Sequence, residues 1–369
     1  MASPHASSFI CLPFSYHVDV VTAHTVYFSF CIVSAALGII GAVLFLTQII
    51  MSGSLTKSLS LGGSNSQRWI LIMLAASDLL ANVGVITRSC FWLIYWRPRH
   101  LDDEYGSFGE ELPWAVGATI IEHWVFFWYN ATYFWTLFFA VDVYNTKHGG
   151  KWKLGCSHFF TWFFCFLYIT GSLCSLWTCP PYLDCAEDSL CIISHFMCTL
   201  GPLIIIMLAL PLFYVSTWKQ MNRIANMPSN ISVADVWRKE KELSRRKILS
   251  ILLVFYLCWL VNVLDGILLI TAHATDSGPG HTRSTLYGYI NDPVYIYIVW
   301  LLEAILNPLQ GLLNAIAYGG VCTTFCTWVR NKYSSPENLY VSSWSGEYID
   351  VDFRVNKGKI HRAKRAKAV

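Results

Sequence analysis

The sequence predicts an all-α membrane protein, a bundle of seven transmembrane helices with the N-terminus outside and the C-terminus inside. Three observations support this fold class: seven long apolar stretches, an apolar and aromatic composition, and basic residues gathered on one side of the resulting topology. Of the 369 residues, 55% are hydrophobic, 15% aromatic and only 13% charged. A chain of this composition is difficult to keep soluble without lipid.

Four of the seven stretches are almost free of Asp, Glu, Lys and Arg. Between residues 294 and 329 only Glu303 is charged, and three windows have no such residue: residues 25–56, 154–183 and 189–218. A spanning helix needs ~20 predominantly apolar residues, so each window is long enough. The other three spans, which carry a few charges, are predicted at residues 69–95, 113–141 and 248–272.

The basic residues indicate the orientation of the bundle. If the N-terminus is outside, the four inner segments hold 22 of the 26 Lys and Arg, and the outer segments hold three, Arg97, Arg99 and Arg283. The rule that Lys and Arg collect on the cytoplasmic side concerns such residues near helix ends, so this partition favours the assumed topology.

The predicted spans divide the chain into three regions. Residues 1–23 form an outer segment that is too short for a folded ligand-binding module, residues 24–333 form the bundle and a short amphipathic helix, and residues 334–369 form a cytoplasmic tail. The tail ends in a basic run that we interpret as facing membrane lipid, with no role in binding nucleic acid. The charged third inner loop, residues 219–247, is either a solvated helix end near anionic lipid or a docking surface for a partner.

Most of the 13 cysteines lie inside predicted spans, where a thiol serves as a small apolar group. Four lie in outer segments and are disulfide candidates: Cys11, Cys179, Cys185 and Cys191. At least one loop disulfide is expected, although the sequence does not determine its connectivity. No cysteine or histidine spacing suggests zinc, so we predict neither a metal nor a cofactor.

Ionisable residues inside a span are costly and usually have a function or a partner. Asp78 lies near the middle of span two, where it could bind a cation or proton, or hydrogen-bond to polar residues of span seven. Arg88 lies nearer the outer side, and Glu122 and His123 lie in the outer part of span three. Glu122 could contact a cationic ligand or form an internal salt bridge with Arg88.

Spans six and seven carry further polar residues. Asn262 and Asp265 are three residues apart and so share one helix face, just after Trp259. In span seven, Pro308 removes a backbone hydrogen bond, and Asn307 and Gln310 can satisfy the group that it frees. The result is a bend that can serve as a moving hinge or remain a static kink.

Four segments resemble seven-helix G-protein-coupled receptors, and more closely the ocular albinism type 1 family. They are AASDLLANVGVITRSCFWL (75–93), YFWTLFFAVDVY (133–144), CWLVNVLDGILL (258–269) and ILNPLQGLLNAIAYG (305–319). Span three ends in Asp142-Val143-Tyr144, so the arginine that rhodopsin-like receptors place in this triplet is absent. No cysteine lies at the outer end of span three.

The resemblance implies a receptor of melanosomes and endolysosomal membranes, with some at the plasma membrane, that responds to tyrosine-derived ligands such as L-DOPA. Heterotrimeric G proteins would be its partners, with arrestin and sorting adaptors as further ones. An amino-acid-like ligand needs an acidic and a basic anchor and an aromatic surround. The candidate ligand residues are Arg88, Glu122, His123, Trp92, Trp124 and Asp265. The switch candidates are Asp78, Asp142, Tyr144, Trp259, Asn262, Asn307, Pro308 and Gln310, and the sorting candidates in the tail are Trp344, Glu347, Tyr348 and Val351.

Other function classes have weaker support in the sequence. A retinal-binding pump needs a lysine in span seven, which has none. An intramembrane metal-dependent hydrolase needs converging His and acidic ligands, whereas those present lie at scattered depths. A small-solute transporter would typically show an internal repeat, and the chain shows none.

The predicted topology can be tested directly. An N-terminal tag should be extracellular or luminal and the Arg365 end cytosolic, because of the 22-to-three partition of Lys and Arg outside the spans. Protease protection in sealed right-side-out vesicles measures this. A C-terminal tag that external protease removes from intact vesicles would contradict the orientation.

Overall fold

The structure, a computed structural model, describes residues 20–51, 65–96, 108–148, 150, 153–178, 189–225, 245, 248–267 and 293–319. The chain divides into two units, residues 1–323 and 324–369, and every described residue belongs to the first. Within the described ranges the chain forms helices and no strand. The predicted amphipathic helix near residues 321–333 and the tail lie outside these ranges.

Seven α-helices follow one another in the described part of the chain. We label them α1 (Val20–Met51), α2 (Asn65–Phe91), α3 (Phe108–Lys147), α4 (Leu154–Thr178), α5 (Ser189–Ala225), α6 (Ile248–Ile267) and α7 (Pro293–Gly319). A π-helical turn, Trp92–Trp96, continues α2 at its end.

Six of these helices, all except α3, are long and apolar enough to cross a membrane. The prediction of an all-helical membrane protein is therefore confirmed, whereas a count of seven spans stays a prediction. Helix α3 is long, at 40 residues, but it is rich in Trp, Tyr, Asn and Thr, which lower its mean hydropathy. Large apolar side chains on the outside of the bundle, such as Leu208, Leu212 and Leu253, are more than 60% exposed, as expected for a surface that faces lipid.

Helix α3 occupies a central position, since it packs against α2, α4 and α5. Its contact with α4 is aromatic: the ring of Phe127 stacks on Trp162 at 5.8 Å between centroids, and Trp135 meets His158 edge-on at 4.9 Å. Aromatic rings supply large contact areas with defined geometry. Trp135, one of the residues that lower the hydropathy of α3, thus contributes to its contact with α4.

Helices α1 and α7 approach each other through glycines. A Cβ atom on Gly38 would overlap the carbonyl oxygen of Pro308, and one on Gly41 would overlap the Cα atom of Leu312. A Cβ atom on Gly311 would lie 2.7 Å from the carbonyl oxygen of Gly38. Small residues allow the backbones of membrane helices to pack closely, because lipid supplies no hydrophobic force between helices. This glycine seam, formed by Gly38, Gly41 and Gly311, fixes α1 beside the proline of α7.

The glycine seam generates a stability prediction. Gly41→Ala should lower the free energy of unfolding by about 1–3 kcal/mol, because the added methyl group meets the backbone of Leu312, which cannot rotate away. Thermal unfolding of the protein purified in lipid nanodiscs measures the change. Gly155→Ala is the matched control, since a Cβ atom there has no neighbour within 4 Å. Equal melting temperatures for the two variants would contradict the close approach.

Candidate functional site

The candidate site starts with two amide side chains that join α6 to α7. Asn262 Nδ2 donates to Asn307 Oδ1 at 2.9 Å, and Asn307 Nδ2 donates to Asn262 Oδ1 at 3.0 Å. Both side chains are fully buried. Because each amide acts as donor and acceptor, this pair satisfies two buried polar groups without any charge.

A second contact joins the same helices closer to their cytoplasmic ends in the predicted topology. The indole N–H of Trp259 donates to Gln310 Oε1 at 2.8 Å. Tyr129 and Tyr133 of α3 meet the Trp259 ring edge-on, at 4.9 and 4.6 Å between centroids. The indole ring is thus held by a polar contact to α7 and by two aromatic contacts to α3.

The sequence spacing explains why these contacts form a ladder. Trp259 and Asn262 are three residues apart, and so are Asn307 and Gln310, so each pair shares one face of its helix. Pro308 lies inside α7 between the two rungs. We call the contacts Asn262–Asn307 and Trp259–Gln310 the α6–α7 ladder.

Helix α7 makes a third polar contact, with α2. Asn314 Nδ2 donates to Asp78 Oδ2 at 2.8 Å, and both side chains are at least 95% buried. The structure therefore pairs Asp78 with a polar residue of span seven, which was one of the two predicted alternatives. The sequence interpretation missed Asn314, although its position seven residues after Asn307 places it on the same helix face.

The charged candidates of the outer half form an ion pair. Arg88 Nη1 donates to Glu122 Oε2 at 3.1 Å, which joins α2 to α3. The Arg88 guanidinium also lies over the ring of Phe28, 6.0 Å from its centroid. Trp92 stacks on the same Phe28 ring at 4.6 Å between centroids. Three of the predicted ligand residues, Arg88, Glu122 and Trp92, are therefore close together where α1, α2 and α3 meet.

The remaining ligand candidates lie apart from this group. His123 Nδ1 donates to the carbonyl oxygen of Thr119 at 2.7 Å, within its own helix. Trp124 is 44% exposed, and its indole N–H donates to the carbonyl oxygen of Leu80 at 2.9 Å, so it covers the outside of the α2–α3 contact. Asp265 is buried beside Trp300, between α6 and α7.

Several buried polar atoms near the Arg88–Glu122 ion pair and the α6–α7 ladder have no hydrogen-bond partner among the described residues. They include Arg88 Nε and Nη2 and the hydroxyl oxygens of Tyr129 and Tyr133. Sequence reasoning missed both tyrosines, although their spacing of four residues places them on one face of α3. Leaving such a group unpaired costs about 1–3 kcal/mol.

At the far end of α3, Asp142 is buried against the side chains of Ser66 and Gln67 at the start of α2. The ring of Tyr144 contacts Phe213 of α5 at 5.8 Å between centroids. The triplet that lacks an arginine therefore contacts α2 and α5 through the aspartate and the tyrosine.

Other predicted residues cannot be placed. Cys11, Cys179 and Cys185 lie outside the described residues, and the side chain of Cys191 is not described although α5 includes this position. The sorting candidates Trp344, Glu347, Tyr348 and Val351 also lie outside. Among the described residues, no group of three or more His, Cys, Asp or Glu could hold a metal ion.

Comparison with known proteins agrees with the resemblance seen in the four segments. The family model for the ocular albinism type 1 protein matches residues 1–348 of the chain. A curated relative, G-protein coupled receptor 143 from Homo sapiens, is 24% identical over 257 residues, which are 68% of this chain and 60% of the relative. The chain thus spans about 60% of the length of the curated relative that it matches.

The amide pair generates a test by double-mutant cycle. Asn262→Ala and Asn307→Ala should each destabilise the bundle, and the double variant should lose less than the sum, with a coupling energy of about 0.6–1.7 kcal/mol. Thermal unfolding in nanodiscs supplies the free energies. Asn145→Ala is the control partner, because the Asn145 amide bonds only to Val141 of its own helix among the contacts described. Additive effects of Asn262→Ala and Asn307→Ala would show that the pair does not act as a unit.

Proposed function

The chain belongs to the ocular albinism type 1 protein family, and on this basis we propose that it is a G-protein-coupled receptor with seven transmembrane helices. It is a multi-pass membrane protein with six described helices long and apolar enough to cross the bilayer. Helix α3 would be the remaining span, because its 40 residues exceed the length needed and it packs among α2, α4 and α5. The N-terminus would be outside and the tail in the cytosol.

The observation that carries the proposal is the α6–α7 ladder around Pro308. A receptor needs an element with two arrangements of similar free energy. Hydrogen bonds between membrane helices contribute only roughly 0.6 kcal/mol on average, so the ladder can break and re-form within a stable bundle. Asn307 and Gln310 flank a proline at which the helix lacks one backbone hydrogen bond, so α7 can bend there. The ladder in the present arrangement would hold the receptor in its resting state.

The contact between Asp78 and Asn314 extends this switch to α2. A bend at Pro308 moves the part of α7 that carries Gln310 and Asn314, while Asn307 lies on the other side of the proline. A ligand that moves the outer half of α6 or α7 would therefore change the contact between Asn314 and Asp78. Trp259, Asn262, Asn307, Gln310 and Asp78 would exchange partners between the two states.

Coupling would take place at the inner ends of the helices. Asp142, which lacks the neighbouring arginine of rhodopsin-like receptors, would use its contacts with Ser66 and Gln67 to hold α3 against α2. The basic inner segments would face a heterotrimeric G protein, and arrestin and sorting adaptors would bind the loops and the tail. Tyr144, which contacts Phe213 of α5, would move with α5 when the G protein binds.

The ligand would be a small amino-acid-like molecule derived from tyrosine, such as L-DOPA, recognised in the outer half of the bundle. Arg88 would be its basic anchor and Glu122 or Asp265 its acidic anchor. Of these acids, Asp265 is the more suitable, because Glu122 is already paired with Arg88. The receptor would act in melanosomes or endolysosomal membranes, with some at the plasma membrane, and would regulate the formation of these organelles.

The switch can be tested by its signalling output. Gln310→Leu should raise ligand-independent G-protein activation about threefold, because it removes one rung of the ladder, worth roughly 0.6 kcal/mol, from the resting state. Asp78→Asn should also change basal signalling, since it replaces one carboxyl oxygen beside Asn314 by an amide donor. The measurement is nucleotide exchange on G proteins added to membranes with equal receptor content.

The control is Thr87→Val, which loses a hydrogen bond to Val83 within its own helix. Its basal signalling should equal that of the parent. If Gln310→Leu and Asp78→Asn leave basal signalling per folded receptor unchanged and lower only the amount of folded receptor, the ladder is structural and the proposed switch is wrong.

A further inference from the structure

Among the described residues, the guanidinium group of Arg88 is bound on one corner only. Nη1 donates to Glu122, while Nε and Nη2 have no acceptor among the described residues. These two nitrogens form one edge of the planar group, with two N–H bonds that point in the same direction. The Arg88 residue is 4% exposed, so bulk water does not cover this edge.

The surroundings of Arg88 hold this edge in a fixed orientation. The Phe28 ring lies under the guanidinium, and Trp92 stacks on Phe28, so an aromatic pair supports the cation. The contact with Glu122 fixes the opposite corner. A buried fork of two parallel N–H donors matches a carboxylate, which accepts both bonds at once.

A third donor lies in the same part of the bundle. The hydroxyl group of Tyr129 is buried and has no hydrogen-bond partner among the described residues, and Tyr129 lies seven residues after Glu122, on the same face of α3. Tyr129 also touches the Trp259 ring of the α6–α7 ladder. A ligand that binds Arg88 and also contacts this hydroxyl would therefore be connected to the ladder through the Tyr129 side chain.

We propose that the free edge of Arg88, together with the Tyr129 hydroxyl, binds a single carboxylate group of a small ligand inside the bundle. The proposal extends the proposed receptor function by naming the chemical group that is recognised, and Glu122 acts as a positioning residue. A carboxylate is favoured over a phosphate dianion, because Glu122 already supplies one negative charge beside the guanidinium. The carboxylate can belong to a water-soluble amino acid or to a fatty acid of the bilayer.

The test compares ligands that differ only by the carboxylate. The purified protein in nanodiscs is titrated with L-DOPA and dopamine, with L-tyrosine and tyramine, and with oleate and oleyl alcohol, and binding is read from the shift in melting temperature. The acid of at least one pair should bind about tenfold or more tightly than its partner, as expected for charge-assisted hydrogen bonds. An effect confined to oleate assigns the site to bilayer lipid, and one confined to the amino acids assigns it to a soluble ligand.

Variants identify the residue responsible. Arg88→Lys keeps the charge beside Glu122 but loses the fork, so the preference for the acid should fall about tenfold. Tyr129→Phe, which removes only the hydroxyl, should weaken the preference in the same direction. Arg68→Lys on the same helix is the matched control, since Arg68 bonds to the carbonyl oxygen of Ile49 and should leave the preference unchanged.

Two results would overturn the proposal. One is that the parent protein binds none of the acids more tightly than the matched compound that lacks the carboxylate. The other is an unchanged preference in both Arg88→Lys and Tyr129→Phe. These outcomes concern binding alone, so they are separate from a failure to activate G proteins, which would contradict the proposed receptor function and leave the carboxylate site standing.

Discussion

Polar groups inside this bundle have almost no access to water, and the arrangement of the helices depends on how those groups find partners within the protein. An unpaired amide, hydroxyl or carboxylate in an apolar surrounding costs several times what a typical hydrogen bond contributes. The contacts between Asn262 and Asn307, between Trp259 and Gln310, and between Asp78 and Asn314 all meet this requirement between different helices. Each of the three contacts includes a residue of α7. This helix is therefore the element whose position the polar interior determines.

The glycine seam explains how α7 can occupy that position. Pro308 allows α7 to bend, because the helix lacks one backbone hydrogen bond there. The carbonyl oxygen of Pro308 lies against Gly38 of α1, and any larger side chain at position 38 would collide with it. The seam holds α1 against α7 at this level, and α6 contacts α7 there through the ladder. In the proposed receptor, these two contacts would define the arrangements between which α7 switches at Pro308, because packed interfaces switch between discrete states and do not deform gradually.

The buried polar groups of the outer half and those around the ladder find partners in different ways. In the described part of the outer half, Arg88 pairs with Glu122, and Arg88 Nε and Nη2 have no hydrogen-bond partner. Around the ladder, neutral amides and an indole pair with one another. In the proposed receptor, the ligand would bind in the outer half and the ladder would respond to it. Tyr129, which lies seven residues after Glu122 on the same face of α3 and touches Trp259, lies between the two.

The sequence alone determined the fold class, because the length of an apolar stretch and the absence of charge are local properties that the bilayer thickness makes decisive. It also identified Asn262, Asn307, Gln310 and Asp78 as buried polar residues, since a polar side chain in an apolar run is visible without any contact. It did not determine partners. Asn314, Tyr129 and Tyr133 escaped notice because an amide or a phenol in a span is not costly enough to stand out, and only the packing of α2, α3, α6 and α7 brings them to Asp78 and Trp259. Tertiary structure also decided that Trp124 faces outward and that one edge of the Arg88 guanidinium has no acceptor among the described residues, because such features depend on the rotation of each helix about its axis, which the span pattern leaves open.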